Sequence, residues 1–248
     1  MFSLIMIHAQ QANNGFLLSG EVVYEEIMKL DIQLEGLDEQ MVAQIPKERK
    51  SEKVLHFTEE EAMFENQLKD DPEENMHTEG SGMMIKMYQP DNKTYIDLTN
   101  KKVIEQKEFM SRVFLIESEL EPEKWKMTGE QKKILDYACQ EAIREVDGQD
   151  VHAWFTPQIA VAAGPGKYCS LPGLVLAVEM NEGDMKLEAI GIELKPVDKS
   201  VLKKPTKGKK VTHDEYQAIV AEKMKEMGVD EDGSGGGSGH AVVIRIQQ

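Results

Sequence analysis

Cysteine is nearly absent: the 248 residues hold Cys139 and Cys169 and no others. Two thiols cannot build a structural zinc site alone, and these two lack the close spacing of a redox or haem motif. One disulfide between Cys139 and Cys169 is the most that such a count allows, and geometry decides whether it forms. Positive charge is scarce as well. Asp and Glu number 45 against 29 Lys and Arg, a formal net charge of −16. Such a chain repels phosphate backbones and anionic headgroups at long range, which argues against nucleic acid as a partner. Long apolar runs are also missing. After the opening residues none approaches the roughly 18 needed for a helical span, so no transmembrane span is expected.

Catalytic signatures are missing too. No serine sits in a GxSxG elbow, and no GxxxxGK[ST] loop is present to cradle phosphate. The six histidines (His8, His56, His77, His152, His213, His240) stand singly, none at the helical spacing of a zinc metalloprotease. Carboxylates are so abundant that no glycosidase pair can be singled out. No cofactor, metal centre or catalytic residue is therefore implied. His56 and His152 remain the two histidines that strands could bring to a carboxylate. Of the fifteen methionines, Met76, Met83, Met84 and Met87 cluster. They suit soft coordination of Cu(I), a compliant apolar wall for a lipid-like ligand, or plain core packing.

What is present begins with MFSLIMIHAQ, which looks like the back half of a secretory signal cleaved after Ala9 but lacks a basic start. Residues 1–9 are read as a signal remnant whose true start lies upstream, with a short native strand as the alternative. Many short β signals follow. EVVYEEIMKL is partly alternating, and KVLHFT, the Glu59-Glu60-Glu61 corner and AMFENQ read as a hairpin. Leu68 to Gly82 reads as a loop, and MMIKMY with TYIDL as a second hairpin across Gln89-Pro90-Asp91-Asn92. VIEQKEFMSRVFLIES is one long or two short strands, and LVLAVEMNEGDMKLEAIGIEL is a hairpin. In KKILDYACQEAIREV, by contrast, the apolar spacing suits an amphipathic helix. Near the end, Thr212 and Glu215 match a capping box ahead of a helix from Asp214 to about Met227. A Gly/Ser linker and the strand AVVIRI complete the chain, the linker letting that strand return to the sheet edge. The fold expected is mainly β: a curved antiparallel sheet or half-open barrel made from a meander of hairpins, with a C-terminal helix and a returning last strand. Residues 10–194 form the β domain, and 195–248 pack on it.

Two segments, KWKMTGEQKKILDYACQEA and HAWFTPQIAVAAGPGKYCSLPGLVLAVE, carry a resemblance. Trp125, Gly129, Cys139, Ala142, Trp154, Phe155, Thr156, Ile159, Gly164, Pro165, Leu171, Pro172, Gly173 and Leu174 follow the order and approximate spacing of the GLPGLI family. That family is named for a Gly-Leu-Pro-Gly-Leu-Ile motif, in which this chain has Ser170 for the first Gly and Val175 for the Ile. The resemblance implies an exported envelope protein, periplasmic or outer-membrane associated and often encoded near TonB-dependent receptors, with no established reaction. It also implies that Ile134 to Val146 is strand, paired with the HAWFT strand.

The prolines and glycines between Gly164 and Leu174 make a stiff connection that delivers LVLAV into a sheet buried on both sides. That loop is either a rigid interior element or one lip of an apolar cleft. In the second case Trp154, Phe155, Tyr168, Leu171, Pro172, Gly173 and Leu174 contact the ligand, with glycine allowing close backbone approach. Functionally, the sequence reads as a non-enzymatic binding or accessory protein for a hydrophobic small ligand or an outer-membrane receptor complex. A structural docking partner, and a metal-binding protein or hydrolase using His56 or His152, are the alternatives.

Overall fold

Alternating burial dominates the chain. In the computed structural model, which describes residues 18–30, 47–67, 75–77, 84–87, 89–122, 124–146, 148–226 and 244–247, strand β1 (Gly20–Lys29) begins with four buried residues alternating with partly exposed ones. Its neighbour β2 (Glu48–Phe57) runs antiparallel, pairing Gly20 with Phe57 and Lys29 with Glu48. The chain continues through β3 (Glu61–Asn66), β4 (Asn75–His77), β5 (Met84–Met87), β6 (Lys93–Asp97), β7 (Lys102–Phe109) and β8 (Arg112–Glu119). Next come β9 (Lys126–Ile134), β10 (Tyr137–Val146), β11 (Gln149–Thr156), β12 (Leu174–Met180) and β13 (Met185–Leu194). After β14 (Lys209–Val211) and helix α1 (His213–Glu226), β15 (Ile244–Gln247) is the last element.

Twelve strands form one open sheet in the order β14-β8-β7-β6-β3-β2-β1-β13-β12-β11-β10-β9. All ladders are antiparallel except β14 on β8. The expected mainly β architecture with a C-terminal helix is what the chain adopts. Tight turns make the hairpins: Met110 and Ser111 both have positive φ (50° and 61°), matching the twist that two-residue hairpins need. The β12–β13 hairpin is present, joined by a 3₁₀ turn at Asn181–Gly183. Thr212 and Glu215 exchange the two hydrogen bonds of a capping box at the start of α1, at 2.8 and 3.1 Å.

The sheet is strongly curled. The segment after β11 is bonded to β12, through Leu174 N to Ile159 O and Val175 N to Ala163 O, both 3.0 Å. Yet Lys167 Nζ lies 3.1 Å from Glu105 on β7. Five strands separate β7 from β12 in the sheet, roughly 29 Å at ordinary strand spacing. A lysine spans that distance only if the sheet bends round and the 157–173 segment lies in its concavity. The main core agrees: Leu55, Phe57 and Ala62 cluster with Phe155, Ile159, Val161, Leu171 and Leu174. Helix α1 closes another part of this side, packing Tyr216 against Phe109, Phe114 and Ile116. On the opposite face Leu202 covers Met63 and Tyr95.

One expectation is borne out and two are corrected. Residues 134–146 are strand and turn, not helix: Ile134 ends β9, Leu135 turns with φ 51°, and β10 pairs with the HAWFT strand β11. A bulge between Gln140 and Ala142 leaves Glu141 and Ala142 both buried, which breaks the period of two and imitates helical spacing. MMIKMY and TYIDL do not pair, because both edges of β6 are taken by β3 and β7. Instead β5 lies between β4 and β15 in a separate three-stranded sheet. The last strand therefore returns to β5, not to the edge of the large sheet. The 68–82 loop contains β4, and residues 1–9 lie outside the described residues.

Gly173 marks where the 157–173 segment is tightest. A Cβ there would lie 2.1 Å from Thr156 O and 3.0 Å from Pro157 Cα, both backbone atoms. Gly173→Ala is expected to destabilise the fold by about 1–3 kcal/mol, read as a lower urea midpoint with an unchanged slope. An unchanged midpoint would contradict the packing described.

Candidate functional site

The residues expected to line a cleft divide between two environments. Phe155 and Leu171 are 1% exposed and Leu174 is 0% exposed. Gly173 is buried with them, Trp154 and Tyr168 are half-buried, and Pro172 is exposed. Consecutive strand residues face opposite ways, so Phe155 enters the core and Trp154 stands on the outer face. Tyr168 is tied down through its hydroxyl, 2.8 Å from Met180 Sδ. Next to it Trp125 Nε1 donates to Cys169 O at 3.1 Å. The Arg144 guanidinium sits against both rings, 4.8 Å from Trp125 and 5.6 Å from Tyr168. These contacts fasten the loop to the sheet. Cys139 and Cys169 are both buried, and no disulfide joins them. Burial pushes the Cys139 thiol up to about 11.

His56 and His152 each meet one carboxylate but not each other. His56 Nδ1 is 3.5 Å from Glu21, and β1, β13 and β12 lie between its strand and that of His152. Among the described residues no three His, Cys, Asp or Glu side chains gather as a cation site. Met76, Met84 and Met87 fall on β4 and β5, while Met83 lies outside the described residues.

The outer face of β9 to β13 carries a different arrangement. Glu141 pairs across the ladder with Trp154, and Trp154 with Ala177. Both Glu141 oxygens are engaged, accepting from Thr128 Oγ1 at 2.7 Å and meeting His152 Nδ1 at 2.9 Å. Burial raises the Glu141 pKa, but the His152 and Thr128 hydrogen bonds and Lys132 outweigh it, and the net shift is downward. Lys132 Nζ lies over the indole of Trp154, 4.5 Å from its centroid, and 3.7 Å from Glu188. The His152 side chain is 43% exposed. Strand alternation in HAWFT places His152 and Trp154 on one face. Glu141, Thr128 and Lys132 are supplied by neighbouring strands, and their register was not readable from the sequence.

Buried charge marks the concave side. Glu105, 4% exposed, is held by Lys107 at 3.3 Å and Lys167 at 3.1 Å. Desolvation raises its pKa, but the two lysines together outweigh it and lower the net value. Three strands away, Lys53 is held by Glu26 at 3.3 Å and Asn66 at 2.6 Å, and desolvation lowers its pKa. Ser51 donates to the same Glu26 at 2.7 Å. Both clusters are internally paired; the Lys167–Glu105 contact spans the curl, and the Lys53 contacts join the adjacent strands β1, β2 and β3.

An open, curled antiparallel sheet with a plugged concavity defines the class of fold. Residues 68–218 match the family described as N-glycanase peptide, N-terminal domain, and the chain belongs to that family. This match overturns the GLPGLI assignment. The residues that suggested it, from Trp125 to Leu174, are largely those that fix the loop in the sheet. Two solved structures of PNGF-II, in space groups P21 and C2, share the fold with TM-scores of 0.53 and identities of 16% and 17%. They cover 81% of this chain, which spans 32% of theirs. No curated protein matches. No helix among the described residues is long and apolar enough to cross a membrane.

The Glu105 cluster predicts a pH dependence. A carboxyl whose folded pKa is depressed contributes stability above its unfolded value, near 4.5, and loses that contribution as pH falls through the folded value. Glu105→Gln strands Lys107 and Lys167 and is expected to cost about 2–4 kcal/mol at pH 7. Urea titrations should show the gap to wild type narrowing below about pH 4.5. A gap that stays constant with pH would show that the ion cluster is not the cause.

Proposed function

We propose that this chain is a non-enzymatic binding or accessory module that recognises N-glycosylated protein. The observation that carries the reading is membership, over residues 68–218, of a family described as the N-terminal domain of an N-glycanase. The chain spans 32% of the PNGF-II chains that share its fold, which suits a module of a larger activity. Its chemistry supports the same reading. The buried carboxylates Glu26 and Glu105 are neutralised by lysines, and the concave side is filled by its own loop. Polar and aromatic groups instead lie partly exposed on the outer face, around Trp154 and His152. An exported location, read from residues 1–9, would place the module where glycoproteins are met.

A second reading, a hydrophobic ligand, draws support from a groove of about 540 Å³ beside α1. Val113, Phe114 and Ile219 line it together with Arg112, Lys209 and Lys223. Here the apolar ligand would sit between helix and sheet, not at the LPGL loop.

The test is retention of a glycoprotein bearing one N-linked glycan on the immobilised protein, compared with the same glycoprotein stripped of its glycan. The glycosylated form should be retained selectively, with a Kd of about 0.1–1 mM per site and no glycan released by this chain alone. Equal retention of both forms would remove the glycan from the reading. Release of glycan would make the chain an enzyme.

A further inference from the structure

We infer that Trp154 is the stacking platform for a neutral pyranose ring, capped in the free protein by Lys132 and bordered by the Glu141–His152 pair. The inference rests on the accessory reading and deepens it by naming the site and the ligand chemistry. Its first support is placement. On β11 the interior side carries Val151, Ala153 and Phe155 at 0–1% exposure, whereas Trp154 is half-buried on the outer side. The indole packs against the core cluster beside Ala177 and leaves the rest of its surface partly exposed.

The second support is what covers the ring. Lys132 reaches over the indole with its ammonium 4.5 Å from the centroid. Its ion pair to Glu188 is long, at 3.7 Å, and the Lys132 side chain is 33% exposed. A long, partly solvated side chain in a loose ion pair is held weakly and has many rotamers. The ring is therefore covered by a movable group and can be uncovered without disturbing the sheet.

The third support is the fixed polar rim. Thr128 and His152 hold both oxygens of Glu141, so the carboxylate and the imidazole keep a set geometry. The second nitrogen of His152 has no protein partner among the described residues. A sugar ring offers a flat C–H face to an indole and a rim of hydroxyls to such groups.

Other ligand classes fit less well. The outer strip holds Lys132 and Lys186 against Glu141, Glu179 and Glu188, two cations against three anions, so a phosphate gains little. A peptide cannot add as a strand, because β10, β11 and β12 are each paired on both sides. One indole without an adjoining apolar groove does not bury an acyl chain.

Trp125 and Trp154 are the two tryptophans of the chain, so Trp125→Phe leaves Trp154 as the sole indole. The probe is N,N′-diacetylchitobiose, titrated against the emission of that variant. A saturable change in emission, with protection from acrylamide quenching, is expected. Lys132→Ala should make the free indole more quenchable and leave sugar binding in place. His152→Ala and Trp154→Phe, both checked for an unchanged melting transition, should weaken binding by at least about tenfold. Emission and quenching that ignore the sugar, while the glycoprotein is still selectively retained, would overturn the Trp154 site and leave the accessory reading standing. Absence of both responses would overturn both.

Discussion

The packing of residues 157–173 into the curl of the sheet is the constraint on which the rest depends. Those residues give the central strand a second interior surface. Leu174, Val175, Leu176 and Val178 are consequently 0% exposed and Ala177 is 2% exposed, so β12 is sealed on both faces, as an interior strand of a two-sided core must be. Tyr24 completes the seal from β1, donating its hydroxyl to Val175 O at 2.6 Å. The lysine at the tip of the same segment then meets Glu105 across the concavity and ties the two halves of the sheet together.

Burying ions in such a space carries a desolvation cost that only close pairing offsets. Glu105 has two lysines, and Glu26 has Lys53 and Ser51. Charges committed in this way are poor candidates for chemistry, since moving any one strands its partners. The outer face is under no such constraint. Its groups are half-open: the central indole packs against the core on one side and meets the Lys132 ammonium on the other. The exposed edge strand β9 fits the same division of labour. It carries Lys126, Lys132 and Lys133, a positive-φ Gly129 and a bulge against β10, features that discourage pairing with another sheet edge.

Much of the architecture was legible in the sequence where one local rule governed it. Hairpin β12–β13, the β2–β3 hairpin and the capping box at Thr212 all follow from short-range chemistry. Where local rules conflict or end, the causes are equally specific. The bulge at Gln140 gives the β10 segment apolar spacing that also suits a helix, although it is the strand that was expected, and the pairing of β5 with β15 joins segments more than 150 residues apart, which no local pattern reveals. The loop at Gly164 to Leu174 was recognised as stiff and as a neighbour of Trp154 and Phe155. Only the fold shows that those two side chains part company, Phe155 buried inside the core and Trp154 half-buried against its outer side. Ser170 illustrates the limit well: it holds φ 66°, a conformation that glycine adopts freely, so the backbone demand persists where the residue type no longer announces it. For the site, alternation was enough to set His152 beside Trp154, but Glu141, Thr128 and Lys132 needed the register of β9 and β10.

Hydrogen exchange at Leu174 and Val175 is the measurement that addresses the central claim most directly. Their amides are bonded to Ile159 O and Ala163 O at 3.0 Å, beneath the segment that fills the curl. If that segment is an interior element, both amides exchange only through global unfolding, with the same protection as the amides of β1. Exchange at rates typical of a surface loop, well below the protection of β1, would mean that the 157–173 segment opens independently and that the concavity is an accessible cleft after all.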